Sequence, residues 1–397
     1  MMKNYKLHLP DGFKDTYGYE MLVKKHLENI CISSFESFGY ELIKTPGVEY
    51  ADIYSTNGQI KNDLYNLINR EGEVLALSND FTLSIARFIS SNKSLNSNSF
   101  KYCYSGNIYR YPRSYQGKNH EFLQAGVELV GESGINSDIS IIYLACKTLE
   151  KCNINNYSIN LGSSKFLNTL LDDYKINEEV KELIYQAIDN QDYVTLGHIL
   201  NENTETETAD IILDLIMHGG RIKFIDKLIN RFKNTKCENE LLYLKNIYLS
   251  LKELGVDNII FDFSVFTYQK YYTGILFSFY IDNVTKDVIS GGRCDNLYCD
   301  FNKKYPNIGF GIDLDVLTLY ALNNNLINLH NEKYLSYYDK DSFINATKSN
   351  DILREKGIIV NQLDFKSYDD ALKYAKENNY KKIIVYENNK SIIKEVA

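Results

Sequence analysis

Residues 100–131 read FKYCYSGNIYRYPRSYQGKNHEFLQAGVELVG. Two runs rich in apolar and aromatic residues flank a loop that contains proline, glycine and asparagine, and this pattern predicts an antiparallel hairpin. Side chains alternate between the two faces of a strand, so Gln124, Gly126 and Glu128 share one face and apolar residues share the other. A glycine between two polar residues is compatible with two kinds of strand face: one on which a ligand approaches the backbone, and one that is simply polar and exposed to solvent.

Other polar residues could join this face. Asp80 and Thr82, in LSNDFTL, would point the same way in an extended segment, and Arg110 ends the first strand of the hairpin. The sequence contains no GxGxxG, GxxxxGK[ST], HExxH or GxSxG motif and no cluster of histidine and cysteine. It therefore gives no support to phosphate-loop, metal or nucleophilic chemistry, and we expect no catalytic residue, metal or cofactor.

Strand patterns in the chain are interrupted by a block of charged helical patterns. A long amphipathic helix is predicted over residues 19–38, because apolar residues recur at steps of three and four. The order of elements predicts an α+β domain over residues 1–325 with a helical insertion at about 165–255. Alternating strand and helix patterns then predict a small α/β domain over residues 331–397.

Composition predicts a cytoplasmic protein. The 397 residues include 44 Lys and Arg and 52 Asp and Glu, for a net charge of −8. This charge does not favour a protein that binds its partner mainly through phosphate contacts. No apolar run approaches the ~18–20 residues that cross a bilayer. Seven cysteines without a CxxC pair indicate free thiols in a reducing compartment, so we expect neither a membrane span nor structural zinc.

Several segments resemble one enzyme family, in the order in which that family has them. YELIKTP (40–46) resembles motif 1 of the class II aminoacyl-tRNA synthetases, and YRYPRSYQGKNHEFLQAGVE (109–128) resembles motif 2 in its histidyl-tRNA synthetase version. YYTGILF (271–277) and SGGRCDNL (290–297) resemble the histidine-specific segments, and IGFGIDLDV (308–316) stands at motif 3. The resemblance implies a class II synthetase-like fold, an antiparallel sheet flanked by helices.

The resemblance also implies a histidine-binding pocket. The α-ammonium group of the bound histidine would be held by Asp80, Thr82 and Gln124. The imidazole would be held by Glu128 and Tyr272, beside Tyr271, and the carboxylate by Arg110. Two positions differ from the family: Asp80 stands where the synthetases have glutamate, and Cys294 where they have tyrosine.

The adenylation half of the synthetase site is missing from this sequence. Thr267 stands where the family has an arginine that promotes adenylate formation, and Lys270 replaces an acidic residue. Val316 replaces the motif 3 arginine that holds the triphosphate, and Asp313 replaces a glycine. Two unit charges ~4 Å apart interact by about 4 kcal/mol at an effective dielectric near 20, so exchanging a cation for a carboxylate opposes ATP binding.

A synthetase-like chain with a histidine pocket but no adenylation site resembles a family of synthetase paralogues, the regulatory subunits of ATP phosphoribosyltransferase. The resemblance implies a partner, the short catalytic subunit that joins ATP to phosphoribosyl pyrophosphate in the first step of histidine biosynthesis. It also implies activation of that subunit, feedback by histidine, and an oligomer built on a class II-like homodimer.

Two alternatives remain open from the sequence. A divergent histidyl-tRNA synthetase would need a replacement for both lost arginines, and residues 331–397 contain Arg354 as their sole arginine, a poor basis for tRNA recognition. A structural scaffold with a dead histidine pocket would share the motifs but would not bind histidine.

Overall fold

The structure is a computed structural model that describes residues 5–56, 59–60, 63–95, 97–111, 119–264, 272–329, 333–388 and 390–396. Its contacts divide the chain into two compact units, Met1–Leu326 and Ile327–Ala397. Among the described residues, no helix is long and apolar enough to cross a membrane.

The larger unit combines helices with a large sheet, so the predicted α+β class is confirmed. Its helices are α1 (Gly18–Ser37), α2 (Phe81–Ser91), α3 (Ile135–Lys151), α4 (Ser164–Asp173), α5 (Glu178–Asp189), α6 (Tyr193–Asn203), α7 (Thr206–Met217), α8 (Ile222–Arg231), α9 (Lys236–Glu253) and α10 (Leu314–Asn323). Its strands are β1 (Glu41–Leu42), β2 (Val48–Tyr50), β3 (Ser55–Thr56), β4 (Gln59–Ile60), β5 (Asn66–Ile68), β6 (Val74–Leu77), β7 (Phe100–Tyr109), β8 (Glu121–Val130), β9 (Tyr157–Ser163), β10 (Ile259–Phe261), β11 (Ile275–Ile281), β12 (Ile289–Arg293) and β13 (Asn307–Asp313).

The main sheet has the strand order β1-β7-β8-β13-β12-β11-β9-β10. The outermost pair at each edge is parallel, and all pairs between them are antiparallel. The hairpin predicted from residues 100–131 is its β7–β8 pair, in which Tyr102 lies opposite Glu128 and Tyr104 opposite Gly126. A smaller sheet, β2-β6-β5, and a two-stranded ribbon, β3-β4, lie outside the main sheet.

One face of the main sheet is the hydrophobic core. Helices α1, α3 and α10 pack together and onto this face, and α1 contributes buried residues at four-residue steps, Val23, Leu27, Cys31 and Phe35. A buried ion pair joins the first and last of these helices, because Lys24 Nζ lies 2.5 Å from Asp315 Oδ1. The core fixes one face of β8 and β13 and leaves their polar face on the opposite side.

The smaller unit has its own core on both sides of a four-stranded sheet. Its elements are β14 (Lys333–Tyr338), α11 (Phe343–Glu355), β15 (Ile359–Gln362), α12 (Tyr368–Glu377), β16 (Lys382–Glu387) and β17 (Lys390–Glu395), with the strand order β15-β14-β16-β17. The final strand was not predicted, since its two isoleucines, Ile392 and Ile393, are flanked by polar residues and both remain exposed.

Two of the segments that carry the family resemblance are strands over only part of their length. The motif 1 segment 40–46 is paired only at Glu41 and Leu42. The motif 3 segment 308–316 leaves the sheet at Asp313 and continues as α10, because the Asp313 carboxylate caps the helix.

Candidate functional site

A cavity of about 170 Å³ opens on the polar face of the main sheet. It is lined by six of the seven predicted histidine-binding residues: Asp80, Thr82, Arg110, Gln124, Glu128 and Tyr272. The seventh, Tyr271, lies outside the described residues, as do Thr267 and Lys270. The structure therefore brings together side chains from α2, β8 and the segments that flank β7 and β11.

Glycines of β13 form the floor of the cavity. Gly309 lies directly opposite Glu128 across the β8–β13 pair, and Gly311 lies opposite Gly126. A Cβ atom on Gly309 would lie 2.5 Å from the Glu128 carboxylate, and one on Gly311 would lie 2.6 Å from the Gln124 amide. Because neither position carries a side chain, the two long polar side chains of β8 can lie over the neighbouring strand.

Glu128 is the buried carboxylate of the cavity, with an exposed fraction of 3%. Thr82 Oγ1 donates a hydrogen bond of 2.6 Å to its Oε1, and Asn307 Nδ2 donates one of 2.9 Å to its Oε2. Burial raises the pKa of Glu128 to about 7, against the lowering effect of these two hydrogen bonds, and repulsion from Asp80 adds to the rise. This carboxyl group therefore changes its charge near neutral pH.

Asp80 and Thr82 reach the cavity by a different geometry from the one expected. The prediction that they share one side of an extended segment is wrong, because Asp80 is the N-cap of α2 and its Oδ1 accepts a hydrogen bond of 2.9 Å from the Thr82 backbone N–H. The cap places Thr82 in the first turn, where its hydroxyl meets Glu128. An aspartate forms this cap well, which gives the residue a structural task beside any ligand contact.

The other lining groups include hydrogen-bond donors. Arg110 donates through Nε and Nη2 to the Asn79 carbonyl, at 3.3 and 3.2 Å, and its guanidinium lies 5.6 Å from the centre of the Phe122 ring. Burial raises the pKa of Tyr104 and of Tyr272 well above the ordinary value, so both phenols keep their protons at neutral pH. The cavity thus offers one guanidinium and two neutral hydroxyl groups.

Tyr104 and Asn307 are among the lining residues that were not predicted as part of the site. Tyr104 donates a hydrogen bond of 3.2 Å to Gln124 Oε1 and stacks on Phe81, with ring centroids 4.5 Å apart. It could have been found from the hairpin register, which places it on the face of Gly126. A single asparagine before a strand gives no comparable signal for Asn307. Cys294, at the altered position of the family pattern, is a buried part of the cavity wall.

The N-terminus of α10 is occupied by a side chain of the protein itself. Asp313 Oδ1 accepts hydrogen bonds of 3.1 Å from the backbone N–H groups of Asp315 and Val316, and Asp313 Oδ2 lies 2.6 Å from Lys286 Nζ. A helix N-terminus attracts anions through its unpaired N–H groups and its dipole. Here a buried carboxylate already fills that position.

The described part of the chain contains no group of three His, Cys, Asp or Glu side chains placed to hold a metal ion. The cavity combines carboxylates, two amides, hydroxyls and one guanidinium, and this set is able to bind a small zwitterion with a polar side chain.

Comparisons with known proteins identify the relatives of this chain. A family model described as histidyl-tRNA synthetase matches residues 12–317. The ATP phosphoribosyltransferase regulatory subunit of Clostridium kluyveri is 31% identical over 96% of this chain and 99% of its own length. That of Thermoanaerobacter pseudethanolicus is 30% identical over 95% and 99%.

Solved structures agree with these sequence matches. An ATP phosphoribosyltransferase regulatory subunit/histidyl-tRNA synthetase from Bacillus halodurans aligns with a TM-score of 0.82 at 25% identity, over 97% of this chain and 99% of its own. A histidyl-tRNA synthetase from Nostoc aligns with a TM-score of 0.80 at 18% identity, over 98% and 97%. The class II synthetase-like fold is confirmed.

The raised pKa of Glu128 predicts a specific pH dependence of stability. Its carboxyl group ionises near pH 4.5 in the unfolded chain and at about pH 7 in the folded protein, so the folded state binds more protons between these values. The free energy of unfolding therefore falls over this interval as pH rises. We expect Glu128→Gln to abolish this decrease. Relative to the wild type, the free energy of unfolding of the variant should therefore increase by about 2–3 kcal/mol between about pH 5 and pH 8, measured by urea unfolding.

The matched control is Glu121→Gln, at the start of the same strand and on its opposite face, where Glu121 accepts hydrogen bonds from Asn107 and Tyr109. An equal pH dependence of Glu128→Gln and wild type would contradict a buried, protonatable Glu128.

Proposed function

The chain belongs to the histidyl-tRNA synthetase family and, within it, to the ATP phosphoribosyltransferase regulatory subunits, and from this premise we propose that its cavity binds free histidine as a regulatory ligand. The partner is the short catalytic subunit of ATP phosphoribosyltransferase. In this proposal the chain activates that subunit and conveys histidine feedback to the first step of histidine biosynthesis, in the cytoplasm.

The observation that carries the proposal is the meeting of six implied histidine-binding residues in one cavity. A free amino acid brings a cationic ammonium, an anionic carboxylate and, in histidine, a ring with two nitrogens. Asp80 and Gln124 suit the ammonium, Arg110 suits the carboxylate, and Glu128 with Tyr272 suits the ring. A ligand that lacks one of these groups would leave a buried partner unpaired, which gives such a site its selectivity.

We propose that the chain does not form an adenylate. Val316 supplies no positive charge where the synthetases have an arginine, and Asp313 supplies a buried carboxylate that caps α10. A triphosphate at this helix would find the first N–H groups already bonded to the Asp313 carboxylate, which is itself paired with Lys286. These contacts favour a regulatory subunit over a divergent synthetase.

Histidine control of a partner enzyme requires a coupling free energy between the cavity and a site on another subunit. Such couplings are typically ~1–3 kcal/mol and are reciprocal for binding. The dead-scaffold alternative predicts no histidine binding at all, so titration of histidine by calorimetry distinguishes it from the regulatory proposal.

We also propose a homodimer as the core of the assembly. Apolar side chains are exposed along α1, at the edge strand β1 and on the β2-β6-β5 sheet: Met21, Leu22, Leu42, Val48, Tyr50, Leu67, Ile68 and Val74. Exposed apolar surface of this extent is typical of an interaction site, and β1 also presents an unpaired sheet edge.

Light scattering at micromolar concentration tests the homodimer. We expect a mass of at least twice 45.9 kDa for the wild type. Leu42→Lys with Ile68→Lys should yield monomers, since these side chains are 57% and 77% exposed and would become buried charges at the interface. Ile344→Lys, at a 62% exposed residue of the smaller unit, is the control and should leave the mass unchanged. A monomeric wild type would contradict the proposal.

Feedback inhibition tests the histidine site. Glu128→Ala would leave a ring nitrogen of the ligand without its partner, at a cost of about 1–3 kcal/mol. In the complex reconstituted with the short catalytic subunit, we expect inhibition to require roughly 5- to 150-fold more histidine while basal activity survives. Glu121→Ala, on the opposite face of β8, should keep the wild-type inhibition curve. If Glu128→Ala also keeps it, histidine acts elsewhere.

Exchange of pyrophosphate into ATP tests the absence of adenylation. We expect no histidine-dependent exchange and no charging of tRNA, because loss of one charge-stabilising donor typically slows a reaction ~10²–10³-fold and Val316 removes such a donor. The assay uses protein purified free of host synthetase, with an active histidyl-tRNA synthetase as positive control. Robust exchange would restore the synthetase alternative.

A further inference from the structure

Asn307 differs from the other cavity residues discussed above because, within the described part of the chain, its side-chain oxygen has no hydrogen-bond partner. Its side chain is 1% exposed, and it lines the cavity next to Glu128. Nδ2 donates to Glu128 Oε2, whereas Oδ1 makes no hydrogen bond within the described part of the chain. A buried carbonyl oxygen left unpaired costs free energy, so its retention in a cavity wall calls for a ligand that completes it.

The backbone holds Asn307 firmly at this place. It is the first residue of β13, its carbonyl accepts a hydrogen bond of 2.7 Å from the Cys294 N–H, and its own N–H donates one of 3.3 Å to Asp295 Oδ1. The side chain therefore has little freedom to turn away from Glu128. Its amide orientation is fixed as well, because an ionised Glu128 attracts Nδ2 and repels Oδ1.

We propose that Asn307 is a specificity-determining residue of the histidine site, in which Nδ2 holds Glu128 in its ionised form and Oδ1 accepts from the same ring N–H of the bound histidine that Glu128 recognises. This inference rests on the proposed function, since it assigns the ligand of that cavity. Asn307 and Glu128 then form one recognition unit with adjacent acceptor atoms on two neighbouring strands.

The charges around Glu128 allow this unit to work near neutral pH. The titratable groups that interact electrostatically with Glu128 are Tyr40, Asp80, Tyr104, Tyr272, Cys294 and Tyr298, and Arg110 lines the same cavity. Burial raises the pKa of the phenols and of the thiol, so these groups stay neutral. The Asn307 bond and the Thr82 bond lower the pKa of Glu128, and removal of one of them favours the protonated acid.

Calorimetric titration of the full chain with histidine over a range of pH tests the inference. In Asn307→Leu we expect affinity at neutral pH to fall at least about tenfold, since both a donor and an acceptor are lost. We also expect the pH at which affinity is half-maximal to move upward relative to the wild type. The ionisation of free histidine is the same in the titrations of the variant and of the wild type. A difference between their pH profiles of affinity therefore arises from the cavity. Asn307→Ser, which leaves the space open, is a second variant with the same expected direction.

The control is Asn160→Leu. Asn160 lies on β9 of the same sheet outside the cavity, and it donates a similar bond of 2.7 Å to the Asp262 carboxylate. This variant should keep the wild-type affinity and pH profile.

Histidine analogues methylated at one or the other ring nitrogen test the second contact. The wild type should reject the analogue that lacks the recognised N–H, and Asn307→Leu should discriminate less between that analogue and histidine.

The outcomes separate the two claims. If the wild type binds no histidine, the proposed function and this inference both fall. If the wild type binds histidine and neither Asn307 variant changes the pH profile or the analogue preference, the inference alone is overturned.

Discussion

The constraint on which the site depends is the absence of side chains at Gly309 and Gly311. In an antiparallel sheet, directly opposed residues have Cβ atoms ~5 Å apart, so ordinary residues at these positions would occupy the space over β13. Without them, Gln124 and Glu128 of the adjacent strand lie across that space, and the backbone is the floor of the cavity. The helix α2, the tyrosines and Arg110 then need only supply walls. The opposite face of the same strands is packed by α1, α3 and α10, which makes this floor rigid.

The two ends of β13 correspond to the two halves of the site that the proposed function distinguishes. At its start, Asn307 donates a hydrogen bond to the Glu128 carboxylate in the cavity. At its end, Asp313 closes the N-terminus of α10 and pairs with Lys286. A strand of seven residues thus connects the proposed amino-acid site with the N-terminus of α10. Under the proposed function, the absence of adenylation requires no change of fold, because Asp313, Lys286 and the first N–H groups of α10 satisfy one another.

Much of the fold and part of the site follow from the sequence. The alternation of polar and apolar residues in EFLQAGVELV was enough to place Gln124 and Glu128 on the cavity face, since strand geometry leaves little choice. Asp80 and Thr82 also line the cavity, but not from an extended segment, because Asp80 caps a helix that begins at the next residue. Asn307 could not be predicted: its importance depends on a carboxylate 179 residues earlier in the chain, and only the β8–β13 register brings the two together.

The cap at Asp313 links the stability of α10 to the proposed absence of adenylation. A single replacement of glycine by aspartate introduces a negative charge against the nucleotide and, at the same time, secures the first turn of α10. Helix caps of this kind contribute about 1 kcal/mol. The cap therefore stabilises the fold whether or not the chain regulates a partner enzyme. Asp313→Gly alone would weaken the first turn of α10 without supplying the positive charge that Val316 lacks, so this single change would not rebuild a triphosphate site.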